Sequence, residues 1–215
     1  VEIVQDEGRP LNNRASQGQY PPGSIFKIPM AVAALETKTM SPSSTVFCNG
    51  GYQFGKRLYH DWKASGHGYV DLHDALVHSC DVYFYTIGQR MGIDVMAEFG
   101  KDFGLGKATG VELPSERAGI MPSTAWKQKA KNEQWLPGET ISAAIGQGYV
   151  TVTPLQMASL VGTVANNGVS YRPRLVQAVM DRTSGNLQEL PAVPRGKINA
   201  KPETFRVIKD ALADV

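Results

Sequence analysis

The stretch Tyr20-Pro21-Pro22-Gly23-Ser24-Ile25-Phe26-Lys27 constrains this chain more than any other. Two prolines and a glycine break the backbone, and an apolar-periodic run (Phe26, Met30, Ala33, Ala34) starts directly after them. That order places Ser24 at or just before a helix N-terminus. Lys27 follows three residues later on the same helical face, within reach of the Ser24 hydroxyl. A serine hydroxyl is a weak nucleophile until a base takes its proton, and a buried lysine can serve as that base. Unpaired N–H groups at a helix start also favour the negative charge that develops in acyl transfer. Ser-x-x-Lys spacing is used by serine acyl-transferring enzymes. The same spacing also arises by chance on many helix faces, so its meaning rests on the rest of the chain.

The chain has 215 residues, 42% of them hydrophobic, enough for one domain with a real core. A formal charge of +2 is close to neutral and makes no strong case for a nucleic-acid or membrane-surface partner; no nucleic acid is expected. No apolar run reaches the length of about 18 residues expected of a membrane span, and no signal peptide is read. The abrupt start at Val1, and an end at Val215 within a predicted helix, lead us to expect a piece of a longer protein. Two cysteines, Cys48 and Cys80, are too few to fix a redox compartment.

Residues 1–19 are polar and read as an irregular lead-in. A helix is expected from about Ser24 to Thr39, with Pro29 in its first turns. Residues 40–70, rich in glycine, proline and aromatics, read as a long ordered loop of functional importance. Helical periodicity runs from Asp71 to Met91, with a break near Ser79–Asp81 and a stop at Gly92. A short helix from Asp94 to Phe103 follows, and residues 104–150 read as turns anchored by Trp126 and Trp135. Gly146-Gln147-Gly148 leads to Thr153-Pro154, an N-cap and first-turn pair opening a helix that ends at Asn166-Asn167-Gly168. A hairpin is predicted from Arg174–Asp181 and Asn186–Leu190, and a last helix from about Lys201 runs off the end. Gln147 is read as part of a tightly packed turn under the nucleophile helix rather than as a ligand contact.

Tyr20–Lys27, Ser79-Cys80-Asp81 and Gly146-Gln147-Gly148 with Thr153-Pro154-Leu155-Gln156-Met157-Ala158 together resemble the transpeptidase domain of class B penicillin-binding proteins. Asp61-Trp62-Lys63, Gly66-His67-Gly68 and Asp81-Val82-Tyr83-Phe84-Tyr85 are most similar to the elongation-specific members of that class. The likeness runs from about Leu11 to Val215, nearly the whole chain. It implies an α+β transpeptidase fold, with residues 20–215 as the domain, mostly its helical part, and an antiparallel sheet left incomplete. It implies Ser24 as the acyl-accepting nucleophile, Lys27 as the base and Ser79 as the serine that passes a proton to the leaving group. Asp81 stands where the family pattern Ser-x-Asn usually has Asn. An ionised Asp only accepts hydrogen bonds, and beside Lys27 it favours the protonated amine. The third family motif, Lys-Thr/Ser-Gly, is missing from these residues. Lys107-Ala108-Thr109-Gly110 lacks its spacing and comes too early, so the domain is expected to be truncated before that motif. Without it, one of two oxyanion-hole donors is lost, worth about 10²–10³ in rate. The fragment alone is therefore expected to be inactive.

Cys48, Asp61, His67 and Cys80 are zinc-ligand types, and four ligands close a structural site. The alternative is a disulfide or two free thiols with a surface carboxylate and a loop histidine. Gly66 and Gly68 let the backbone bring the His67 imidazole in close, and Cys80 sits inside Ser79-Cys80-Asp81, where a metal would fix that segment. The resemblance implies zinc here as a structural ion, with no cofactor for the acyl transfer itself. His60, His73 and His78 read as surface residues, Tyr83, Phe84 and Tyr85 as core, and Lys56, Arg57 and Lys63 as a solvated basic stretch.

The resulting expectation is a peptidoglycan D,D-transpeptidase domain acting on stem peptides and acylated by β-lactam antibiotics. Its implied location is the periplasmic face of the inner membrane, beside an elongation-complex glycosyltransferase. Two rivals remain: a class D-like serine β-lactamase, suggested by Ser24-Ile25-Phe26-Lys27-Ile28-Pro29, and a non-catalytic β-lactam sensor or scaffold.

Overall fold

The computed structural model describes residues 2–8 and 10–215. In chain order the elements are α1 (Glu2–Gln5), α2 (Arg14–Gln17), a 3-10 turn (Gly23–Phe26), α3 (Lys27–Glu36), β1 (Val46–Cys48), β2 (Gly51–Phe54), β3 (Arg57–His60) and β4 (Gly68–Val70). They continue with α4 (Leu72–Val77), α5 (Asp81–Met91), α6 (Ile93–Asp102), α7 (Thr124–Lys131), α8 (Pro137–Ala144) and α9 (Pro154–Ala165). The last are β5 (Val169–Tyr171), β6 (Ala178–Met180), β7 (Leu187–Glu189), β8 (Pro194–Lys197) and α10 (Pro202–Ala213). Helices dominate. Among the described residues the strands pair only two by two, all antiparallel: β1 with β4, β2 with β3, β5 with β8 and β6 with β7. This is the expected α+β class.

α3 is the hub. Every residue from Lys27 to Ala34 is buried, so the helix is enclosed rather than amphipathic, with α5, α6 and α10 packed around it. Pro29 is tolerated because the first turn of a helix leaves its N–H groups unpaired in any case. The predicted helix over 24–39 thus resolves into a 3-10 turn bearing Ser24 and a shorter α-helix that stops before Thr37. α5 crosses α8 so closely that a Cβ on Gly88 would lie 2.4 Å from the Ala144 Cβ.

Several expectations need correction. Residues 40–70 are not a loop: β2 and β3 form a hairpin around Gly55-Lys56, nested between β1 and β4. The 104–150 segment contains two helices. Ser123 caps α7 by accepting from Trp126 N–H, and α8 opens on Pro137 with Glu139 accepting from Leu136 N–H. Trp126 and Trp135 do pack here, both against Tyr149 with ring centroids 5.3 and 6.2 Å away. The stretch read as an irregular lead-in forms α1 and α2, the latter capped by Asn13 and packed on α9. α10 ends at Ala213 rather than running on. The break between α4 and α5, the stop at Gly92, the Thr153 cap of α9 and the β6–β7 hairpin lie where the sequence pattern puts them.

Candidate active site

Ser24 is exposed on the 3-10 turn, and that turn is pinned from behind. Gly23 N–H donates to Gly146 O at 3.1 Å, and Tyr20 and Val152 exchange two backbone bonds of 2.9 Å. Gly146 has φ of +70°, and a Cβ on it would lie 2.4 Å from Gly23 O. Only glycine lets the two backbones approach so closely here.

Lys27, one turn into the core, is 1% exposed. Its Nζ donates to Asp81 Oδ1 at 2.6 Å, to Ser79 O at 2.8 Å and to Ser79 Oγ at 3.0 Å, satisfying all three N–H groups of an ammonium. Ser79 Oγ in turn donates to Ser24 Oγ at 2.8 Å. Lys27 therefore reaches Ser24 through the Ser79 hydroxyl. Ser79 lies in the α4–α5 break with φ of +51°, a left-handed conformation that costs a residue with a Cβ about 1–2 kcal/mol. The turn aims its side chain at both partners. Asp81 is the first residue of α5, where the helix dipole favours a carboxylate, and its Oδ2 accepts from Trp62 N–H at 3.3 Å.

A cleft of about 350 Å³ opens over this line of groups, walled by Gly23, Ser24, Trp62, Ser79, Asp81, Ile145 and Gln147. The Gln147 reading is thereby revised. Its side chain is exposed and faces the cleft, and the close packing belongs to Gly146. Trp62, named in the sequence only as part of Asp61-Trp62-Lys63, is also a wall residue of the cleft. It is 65% exposed, with its indole N–H held by His78 O at 3.0 Å. Its place directly after Asp61 was the available signal. Ile145 carried none, being one more apolar residue in an apolar run.

Directly behind the cleft, Cys48, Asp61, His67 and Cys80 bring four potential ligand atoms within 4.8 Å of one another. β1–β4 pairing brings Cys48 at the end of β1 beside His67, the residue before β4; the turn after β3 delivers Asp61, and the α4–α5 break delivers Cys80. Asp61 Oδ2 lies 3.5 Å from both Sγ atoms, and His67 Nδ1 lies 3.5 Å from Cys48 Sγ and from Asp61 Oδ1. Zinc bonds of about 2.0–2.3 Å in a tetrahedron separate neighbouring ligand atoms by about 3.3–3.8 Å, so the set fits such an ion. The cysteines are free thiols. Burial would raise the Asp61 carboxyl, but N–H donors from Lys63 and Val82, with the Cys80 thiol and His67, hold it below the ordinary carboxylate range. Burial pushes the Cys80 thiol up, and the Asp61 charge adds to that. His67 is shifted down by burial, toward the neutral imidazole that metals bind. Its Nε2 is buried without a partner. A divalent cation would supply the charge that buried thiols need to ionise. This cluster can hold a metal. It shares Ser79-Cys80-Asp81 and Asp61-Trp62 with the Ser24 cleft. His60 and His78 are exposed and His73 is half-exposed, outside the cluster.

The profile of the penicillin-binding protein transpeptidase domain matches residues 2–215. The peptidoglycan D,D-transpeptidase MrdA of Haemophilus influenzae is 42% identical over 179 residues, covering 82% of this chain and 28% of that protein. The chain thus spans less than a third of this curated relative. A crystal structure of Pseudomonas aeruginosa PBP2 in complex with WCK 5153 superposes with a TM-score of 0.87 at 33% identity, over 98% of this chain and 48% of the other. A complex between PBP2 and MreC from Helicobacter pylori gives a TM-score of 0.82 at 32% identity, over 98% of this chain and 37% of the other. With the Ser24 cleft, these matches establish that the chain belongs to the penicillin-binding protein transpeptidase family, alongside its elongation-specific MrdA/PBP2 members.

Proposed function

We propose that this chain carries the nucleophile half of a peptidoglycan D,D-transpeptidase site. The observation that supports it is the unbroken line Ser24–Ser79–Lys27–Asp81, with contacts of 2.8, 3.0 and 2.6 Å. Ser24 Oγ attacks the penultimate D-alanine carbonyl of a stem peptide. Lys27 first passes an ammonium proton to Asp81 and the Ser79 hydroxyl turns to donate to the neutral amine; the Ser24 proton then moves to Ser79 Oγ as the Ser79 proton moves to Lys27 Nζ. The reverse transfer through Ser79 protonates the departing D-alanine amine. An amine of a neighbouring stem peptide then attacks the acyl carbonyl; the Ser24 C–O bond breaks as the amide forms, and the amine proton passes by way of Ser79 to Ser24 Oγ, leaving the cross-link and free Ser24. In this scheme Asp81 gives the protonated lysine somewhere to place its proton, which reconciles a carboxylate at this position with a basic role for Lys27. A Lys-Thr/Ser-Gly strand from chain beyond these residues would complete the oxyanion hole and hold the substrate carboxylate.

The four-ligand cluster fits a structural zinc ion, held by two thiolates, an imidazole and a carboxylate. A bound ion supplies charge that stabilises the thiolates, while Cys80 holds Ser79 and Asp81 in register. The working protein would act at the periplasmic face of the inner membrane with an elongation-complex glycosyltransferase. Among the described residues no helix is long and apolar enough to cross a membrane.

The test is mass spectrometry, after exposure to benzylpenicillin, of the complete protein that carries these residues together with a Lys-Thr/Ser-Gly strand. A stable adduct on the Ser24 peptide, lost in Ser24→Ala, is expected. An unmodified Ser24 in folded protein refutes the reading, and rapid penicillin hydrolysis with free Ser24 points to a β-lactamase.

A further inference from the structure

Away from the Ser24 cleft, a second cavity of about 410 Å³ lies between the end of α6 and the β5–β8 ladder. Four cations, Lys101, Lys107, Arg195 and Lys197, line it against one carboxylate, Asp102. The whole chain carries a formal charge of only +2, so this cleft concentrates positive charge that the rest of the surface offsets. Among the described residues none of the four cations is in an ion pair, whereas Arg172, Lys27 and Lys127 all are. Like charges gathered without counterions raise the local potential and attract an anion.

The walls are anchored. Arg195 Nη2 donates to Ala108 O at 3.0 Å, and the Lys107 carbonyl accepts from Gln156 Nε2 at 2.8 Å. Gln156 is 2% exposed, which fixes the loop carrying Lys107 to the core. The floor is open. Ser170 and Gly196 face each other across the ladder, and a Cβ on Gly196 would meet nothing within 4 Å.

We propose that this cleft docks an acidic peptide segment of a protein partner, its carboxylates taken by Lys101, Lys107, Arg195 and Lys197. Asp102, Asn199 and Ser170 favour a peptide over a phosphate polymer. They offer acceptors to peptide N–H groups, which a phosphodiester backbone, bringing only acceptors, cannot use. The site does not depend on the chemistry assigned to Ser24.

The experiment is fluorescence anisotropy of the full chain with a fluorescein-labelled Glu-Ser-Glu-Ser-Glu-Ser peptide at low salt. Saturable binding is expected, weakened about tenfold or more in Lys101→Glu/Lys197→Glu and in Gly196→Asp, which places a tethered carboxylate on the open floor. Lys129→Glu/Lys131→Glu makes the same charge change on α7 and should bind as the parent does. Thermal melts of all variants verify that they fold. No saturable binding, equal loss in both double variants, or undiminished binding by folded Gly196→Asp overturns the proposal. So does sodium polyphosphate displacing the peptide at lower charge-equivalent concentration than free hexaglutamate, an outcome that assigns the cleft to a phosphate polymer.

Discussion

At the scale of single residues, Lys27 holds the site together, and its three hydrogen bonds predict what each neighbour is worth. Ser79→Ala removes the hydroxyl that links Ser24 to Lys27 but leaves the Lys27–Asp81 pair intact. In the complete protein, penicillin acylation, followed by labelled-penicillin kinetics, should slow by about 10²–10⁴ with little change in Tm. Asp81→Ala has the opposite balance. It strands a buried ammonium, so stability should fall by about 3–5 kcal/mol. For a chain of this size that is a Tm loss of about 6–20 °C, measured by calorimetry. Residue type and spacing single out Ser24 and Lys27, whereas Ser79 and Asp81 are reached only through the resemblance of Ser79-Cys80-Asp81 to the family pattern. The bridging position of Ser79 is legible in neither. It depends on one left-handed φ angle, and nothing in the neighbouring residues announces a serine in that conformation.

At the scale of elements, the site depends on close approaches between backbones. Gly146→Ala should push the Gly146–Tyr149 turn away from Gly23 and tilt the 3-10 turn that presents Ser24. Left-handed strain of about 1–2 kcal/mol and overpacking of about 1–3 kcal/mol add, so both Tm and acylation rate should fall together. Equal rates in a destabilised variant would separate the turn from the chemistry. Strong caps and stops made several elements legible: Thr153-Pro154 for α9, Gly92 after α5, and the turn residues before β7. β1 to β4 escaped because strands of three or four residues separated by glycines do not sustain an alternating pattern. α8 escaped because Pro137-Gly138 at its start looks like a turn, and only the Glu139 side chain returning to Leu136 N–H reveals a helix cap. Propensity argued for a loop there, and capping together with burial of Ile141, Ala143 and Ala144 prevailed.

At the scale of the whole molecule, the Cys48–Asp61–His67–Cys80 cluster, which can hold a metal, joins strands, a turn and two helices behind the Ser24 cleft. Binding free energy that exists only in the folded state adds to stability, by about 4 kcal/mol at a thousandfold excess over Kd. Dialysis against a strong chelator should therefore remove stoichiometric zinc, measured by mass spectrometry of the metal, and lower Tm by about 8–16 °C. Cys48→Ser should lose zinc and be insensitive to the chelator. The four ligands also lie near one another in sequence, between positions 48 and 80, with Cys80 and Asp61 only 19 apart. Ser24 and Lys27 meet Ser79 and Asp81 across 52 to 55 positions. Shorter loops close at lower entropic cost and sooner. The segment from Cys48 to Cys80 can thus assemble first, presenting Ser79 and Asp81 as a finished surface onto which α3 docks. Metal supply during synthesis would then govern how many molecules mature, while turnover of those already folded stays the same.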